Sequence, residues 1–405
     1  MQQPFLLGVN YWPRRKAMYW WSDFDAGEVR EEFALIREIG LEVVRLFLTW
    51  EDWQPVPDVV DPGALNHFEE VCEIASGLGL RLNVTFFTGH MSGPSWTPSW
   101  MLHPGQPMPP RIWQVVSGGR AVDCGYRNPF TDPLVLRAEE LQLRTVVSRF
   151  RQHPAIEVWN LGNEPDIFAW PADAAGGKEW TRRMTTLIRE IDPNHPVTCG
   201  LHVASLLEDN GLRVNDVFNE VDIPVMHGYP MYADWSNGPL DSDFVPFLCA
   251  LTTALCGKPS LMEEFGGCTA APGQASFVHE WQRYGNPFRQ FMASEEDLAA
   301  YIEAVLPKLV EVGALGAMIW CYADYIPALY DRPPCDQAWH ERFFGLVRPD
   351  GSLKPHAEVI KRFAASRPVV QPARRPVSLD VTPEAYYQAP KRHAVRLYHT
   401  FSGGR

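Results

Sequence analysis

Eight times along the chain, a short apolar segment rich in β-branched residues gives way to an amphipathic helical one, and that alternation leaves few folds open. The strand-like segments are 5–10, 42–48, 81–87, 155–161, 197–201, 221–226, 259–263 and 317–321. Between them, Val29, Phe33 and Ile36 fall at helical spacing, as do Leu136, Leu143, Val147 and Phe150, and Leu298, Ile302, Val305 and Leu309. Further helices are expected near 63–78, up to Asp192-Pro193, near 244–255 and after Lys354-Pro355. Ser294 ahead of Glu295, Glu296 and Asp297 reads as an N-cap with acids at the positive end of the helix dipole. Strands joined by helical crossovers imply an α/β protein with a parallel sheet. An open, doubly wound sheet would want a glycine-rich phosphate loop after strand one. Asn10-Tyr11-Trp12-Pro13 stands there and cannot cradle a phosphate, so the closed (β/α)8 barrel is the fold expected.

A barrel accommodates most of the 405 residues as one catalytic domain over 1–365. The remainder, 366–405, changes composition and is read as a C-terminal extension packed on the barrel, with short strands at 377–381 and 394–398. Two connections are unusually long, 88–133 and 267–292, and loops of that length in a compact domain are usually functional.

The net charge of -13 repels nucleic acid and anionic membranes but not a neutral small molecule. Fifteen tryptophans offer apolar planes suited to the C–H faces of sugars, although any single one is more often packing. The eight cysteines are scattered without CxxC or Cys/His spacing, which points to buried free thiols and to no metal or other cofactor. No apolar run is long enough to span a bilayer. The opening MQQPFLLGVNYWP lacks the features of a secretion signal, so a cytoplasmic location is expected. Oligomeric state leaves no trace in the sequence.

Function in such barrels sits where strands end and loops begin. Strand one ends on Asn10, Tyr11 and Trp12; strand two carries Arg45 and then Trp50 and Glu51; strand three leads to Thr88 and His90. Strand four ends on Asn163 and Glu164, strand five on His202, and strand six on His227 and Tyr229. Strand seven ends on Glu263 and Glu264, and strand eight offers Trp320, Tyr322 and Asp324. Glu164 and the Glu263-Glu264 pair follow apolar runs, where a charge is costly unless paired or useful. Strands four and seven face each other across a barrel mouth, and two facing carboxyls are the minimum equipment for cleaving a glycosidic bond. Alternation puts Glu263 and Glu264 on opposite faces of the strand, and periodicity does not say which points inward.

The strings WNLGNEP and KPSLMEEFGG resemble the strand-four and strand-seven signatures of glycoside hydrolase family 5, in clan A. Arg45, His90, the run His227 to Tyr229, and Trp320 fall in the family's order, so the resemblance covers nearly all of 5–364. It implies that Glu164 is the acid/base and Glu264, directly before Phe265-Gly266, the nucleophile of a retaining mechanism. It further implies that Asn163 binds the sugar 2-hydroxyl, that Arg45 and Tyr229 hold Glu264, and that His90 and His227 line the subsite. Trp320 becomes the platform under the sugar, with Trp12 and Glu51 added to the terminal-sugar subsite. Tyr11-Trp12-Pro13 after strand one and the run WEDWQP after strand two look like the β-mannosidase and β-mannanase members. An exo-acting β-mannosidase on short β-1,4-linked oligosaccharides is therefore expected, with endo-β-1,4-mannanase and β-glucosidase as alternatives. Outside this class stand a metal-dependent hydrolase, which would want clustered ligands at the strand ends, and a non-catalytic sugar-binding barrel, which would have lost a carboxylate.

Overall fold

The computed structural model describes residues 3–403. All eight expected strands form: β1 (Leu6–Asn10), β2 (Val43–Thr49), β3 (Arg81–Thr88), β4 (Ile156–Asn163), β5 (Val197–Gly200), β6 (Val225–His227), β7 (Leu261–Gly266) and β8 (Gly316–Trp320). They lie parallel in one sheet, in the spatial order β5-β4-β3-β2-β1-β8-β7-β6. The free edges of β5 and β6 meet through two single parallel bridges, Thr198 with Ile223 and His202 with His227. That closes a (β/α)8 barrel, with a helix after each strand.

The helices start where side chains satisfy their first free N–H groups. Asp61, Asp132 and Asp173 each accept a bond of 2.8 Å from the opening turn, and Pro62 and Pro133 stand at N1, where no N–H is needed. Ser294 caps Glu295–Glu311 through the N–H of Asp297 at 3.0 Å, as its sequence implied.

Strand six is later and shorter than expected. Pro224 has no N–H to give a ladder, and Asp222 instead accepts from the N–H of Val197 at 2.8 Å. Strand seven runs past its expected end, which brings both Glu263 and Glu264 inside it.

The two long connections carry structure of their own. A small sheet of Ser95–Trp96, Val115–Ser117 and Arg120–Val122 stands in the loop after β3. An antiparallel hairpin, Phe277–Arg283 against Asn286–Met292, rises from the loop after β7.

The extension packs on the barrel but is helical where strands were expected. Residues 394–398 lie inside a helix, Pro390–Phe401, and 377–381 form no strand. Ala394, Leu397, Tyr398 and Phe401 repeat at the helical period, a pattern that a five-residue window does not reveal. Tyr398 packs edge-on against Phe247 and Trp235, with centroids 5.2 Å and 5.3 Å away. Tyr386 and Tyr387 donate to the backbone oxygens of Leu206 and Ser205 at 2.7 Å and 2.8 Å. All eight cysteines are free thiols, and among the described residues no helix is long and apolar enough to cross a membrane.

Candidate active site

Arg45 organises the barrel's upper interior. It is fully buried, and its planar fork aims five donors in fixed directions. Nε donates to Thr85 Oγ1 at 3.0 Å, Nη1 to Asn10 Oδ1 at 3.1 Å and to Glu264, and Nη2 to Asn163 Oδ1 at 3.0 Å. Glu263 lies 3.5 Å from Nη2. Gly200 makes room for this cluster: a Cβ there would come 2.8 Å from Arg45 Nη2 and 2.6 Å from the oxygen of Gly162.

Strict alternation would turn Glu263 and Glu264 to opposite faces, and the structure departs from it. The pairing register of β7 shifts between Met262 and Glu264 against β6, and between Met262 and Phe265 against β8. Such a bulge lets neighbouring residues share a face. Both carboxylates therefore reach Arg45 and His227 inside the barrel, at different depths. Glu263 is fully buried and accepts from Asn83 at 2.6 Å, Asn160 at 2.9 Å and His227 Nε2 at 3.0 Å. Glu264 is the one that lines the cavity, and it accepts from the Tyr229 hydroxyl at 3.0 Å.

Glu164 closes β4 at φ +48°, a left-handed turn uncommon outside glycine, and its N–H donates to the oxygen of Gly200 at 2.9 Å. The turn aims its carboxyl into the cavity, where His227 Nδ1 lies 3.2 Å away and His90 Nε2 3.7 Å. One oxygen each of Glu164 and Glu264 and one nitrogen of His227 lie within 4.8 Å of one another. That spacing could close round a cation, but the Arg45 guanidinium already stands against Glu264.

Charge decides what this cluster holds. Three buried carboxylates, Glu164, Glu263 and Glu264, face Arg45 and His227. Burial disfavours the His227 cation, but Glu264, Glu164 and Glu263 outweigh it and raise its pKa to about 9. Three negative groups thus face two positive ones near neutral pH, and one proton on a carboxyl balances the site. Burial pushes Glu263 up, yet Arg45, His227 and Asn83 pull it below the usual carboxylate range. Burial and the neighbouring carboxylates raise Glu264, against the pull of His227 and Arg45. Burial also raises Glu164, but charges on His202, His227 and His90 would bring it down to about 2. His90 and His202 are themselves pushed down by burial, His90 to about 4, so near neutral pH their pull on Glu164 is gone. Glu164 has the fewest donors of the three, with His227 alone within hydrogen-bond distance.

The cavity above this cluster measures about 640 Å³. Of the residues singled out from the sequence, His90, Asn163, Glu164, Tyr229, Glu264 and Trp320 line it. Arg45 and His227 lie beneath it, against the carboxylates. Trp12 and Glu51 do not line it. Trp12 is fully buried, stacked on Phe47 at 4.8 Å, and Phe47 in turn meets Trp320 edge-on. Glu51 turns away to accept from the N–H of Gly118. His202, singled out at the end of strand five, lines it as well. Arg283 of the hairpin, Glu341 after β8 and Lys391 of the extension also line it, and they carried no signal beyond their types.

The family model described as "Glycosyl hydrolases family 2, TIM barrel domain" matches residues 112–363. Over 154 residues the chain is 29% identical to the "Probable mannan endo-1,4-beta-mannosidase F" of Aspergillus flavus, a match over 34% of this chain and 32% of that one. The chain thus spans about a third of the length of that curated relative. The exo-beta-1,4-mannosidase Op5Man5 of Opitutaceae bacterium strain TAV5 has a similar structure, with TM-score 0.72 and 26% identity, covering 89% of this chain and 59% of that chain. A GH5_18 protein of Streptomyces cattleya, in complex with Manb1-4GlcNAc, has TM-score 0.77 over 100% of this chain and 93% of that one. At 21% identity this last likeness speaks for the fold alone.

Proposed function

From the premise that the chain belongs to the glycosyl hydrolase family 2 TIM-barrel family and is kin to the family 5 mannosidases, we propose that it is a retaining, exo-acting β-mannosidase on short β-1,4-linked oligosaccharides. The observation that carries this is the pair Glu164 and Glu264, whose oxygens approach within 4.8 Å in a walled cavity. Retaining enzymes hold their carboxyls about 5–5.5 Å apart, and inverting ones about 6.5–9.5 Å apart to admit a water between them.

The steps require the proton on Glu164 and the charge on Glu264. Glu264, ionised against Arg45 and oriented by Tyr229, attacks the anomeric carbon. Glu164 gives its proton to the departing glycosidic oxygen, so the C–O bond breaks as the glycosyl–Glu264 ester forms. Glu164, now ionised, takes a proton from water, and that water displaces Glu264 from the sugar with the original anomeric configuration restored. Asn163, fixed by Arg45 and by its own donation to the oxygen of His90 at 2.9 Å, stands beside both carboxyls and suits the 2-hydroxyl. Trp320 supplies the apolar floor.

Exo action is supported by the two long connections, which both reach the cavity, one through His90 to Gly93 and one through Arg283 and Phe288. The Opitutaceae relative, an exo-mannosidase by name, points the same way, whereas the Aspergillus relative is an endo-mannosidase by name. Eight free thiols fit a reducing compartment such as the cytoplasm. Product analysis tests the whole reading. Mannose as the only early product from mannotriose, released as the β-anomer by proton NMR, is the expected result. Early α-anomer would overturn retention, mixed oligosaccharides from mannan would make it an endo-enzyme, and faster cleavage of β-glucosides would reject the sugar.

A further inference from the structure

The hairpin Phe277–Arg283/Asn286–Met292 does more than lengthen the loop after β7. Its tip lies against the loop after β3, on the opposite side of the barrel. A Cβ on Gly93, which stands at φ +108°, would come 2.2 Å from Arg283 Nη2 and 3.2 Å from the Tyr284 hydroxyl. The hairpin is fastened to the loop after β8, where Trp281 Nε1 donates to the oxygen of Gln337 at 2.8 Å and the N–H of Tyr284 to Gln337 Oε1 at 3.0 Å. Three loops from around the barrel thus meet at one wall of the cavity, and Arg283 and Glu341 both face the cavity there.

Both side chains are poised for a polar ligand. The guanidinium of Arg283 is held over the rings of Phe288 and Tyr284 at 4.8 Å and 5.1 Å. The Glu341 side chain is 11% exposed. Burial pushes its carboxyl up to about 7, against the opposing charge of Arg283. Arg283 Nε and His340 Nδ1 are buried on cavity-lining residues without a hydrogen-bond partner. A group of buried polar atoms left unpaired at one wall is unusual unless a ligand completes it.

We propose that Arg283 and Glu341 form a chain-end clamp, which hydrogen-bonds the 4-hydroxyl of the sugar in the cavity and so determines specificity for a terminal residue. A hydroxyl donates and accepts at once, and a guanidinium and a carboxyl lining the same cavity offer one partner for each role. In a β-1,4-linked chain only the terminal sugar has a free 4-hydroxyl. On every internal sugar that oxygen carries the next residue, which would have to pass through Arg283. The inference rests on the glycosidase reading above and adds the residues that recognise the end.

The test pairs substrate and protein changes. Aryl β-mannoside and its 4-deoxy analogue are given to the wild type, Arg283→Ala, Arg283→Lys and Glu341→Gln, with thermal midpoints recorded for each. Removing the 4-hydroxyl should lower kcat/KM of the wild type by about tenfold or more. Arg283→Ala and Glu341→Gln should lose about as much on the parent substrate, through KM, and lose nothing further on the 4-deoxy one. Arg283→Lys should recover part of the loss. Equal 4-deoxy penalties in wild type and variants would overturn the clamp and leave the pair a brace for the hairpin. Glucose and mannose share the 4-hydroxyl, so preference for aryl β-glucosides would change the sugar assignment without affecting this comparison. A wild type inert on every aryl β-glycoside would overturn the glycosidase reading, and the clamp with it.

Discussion

At the scale of single residues, the two neighbouring glutamates of β7 differ by depth rather than by face. Glu264 reaches the cavity, so Glu264→Ala should abolish turnover, and a 2-fluoro glycoside should label Glu264 by mass spectrometry. Label on Glu263 would reverse the assignment. Glu263→Ala removes one of the carboxylates that Arg45 and His227 contact, and breaking a buried pair in this way costs about 3–5 kcal/mol. Its denaturation midpoint should fall accordingly, and an unshifted midpoint would contradict the deep ion pair. Glu164→Ala should lose far more activity on poor leaving groups than on dinitrophenyl glycosides, with azide accelerating the latter. Equal losses and no azide effect would make Glu164 structural. His227 carries a pH signature. Its folded pKa of about 9 lies above the ordinary 6.5, so its stabilising contribution is complete below about pH 6.5 and disappears as pH rises through about 9. The midpoint of the wild type should approach that of His227→Gln across this window. A constant difference between the two from pH 6 to 10 would show that His227 does not titrate there.

At the scale of elements, the site depends on places where strands stop being regular. The register shift in β7 turns two adjacent carboxylates inward, and the left-handed turn at Glu164 aims the third. The end of β5 matters for what it lacks. Gly200→Ala would press a methyl group on Arg45 Nη2, on Glu263 Oε2 at 3.2 Å and on the backbone of β4, none of which has room to retreat. That variant should lose both activity and stability, by about 1–3 kcal/mol for overpacking alone. Wild-type kinetics and midpoint in Gly200→Ala would mean that the cluster yields more than its burial implies.

At the scale of the molecule, the extension and the barrel act as one body. Tyr386 and Tyr387 bond the backbone at Leu206 and Ser205, and Tyr387 also accepts from the N–H of Val214 at 2.8 Å. Ser205 in turn donates to Asp166, two residues after Glu164, and Asp166 accepts from the N–H of His202. Removing residues 366–405 should therefore lower the melting temperature and weaken catalysis by loosening the β5 loop that carries His202. Unchanged melting and kinetics in the truncated chain would show the extension to be dispensable.

The sequence by itself determined the barrel, because apolar strand segments alternate along the chain with amphipathic helical ones whose period is local. It also picked out Arg45, Glu164, Glu264, His227 and Trp320, because functional side chains of such barrels gather at strand ends and these stand in strings that a family motif marks. Only the tertiary structure decided that Glu263 shares the interior with Glu264, since a bulge is a property of pairing with neighbours rather than of one strand. Trp12 has the residue type of a sugar platform, yet packing against Phe47 claims its face. Glu51 has the charge of a ligand for hydroxyls, yet a backbone N–H more than sixty positions away takes it. Arg283, Glu341 and Lys391 reach the cavity from separate loops and from the extension, and no local pattern in the chain records which distant loops will meet over the barrel mouth.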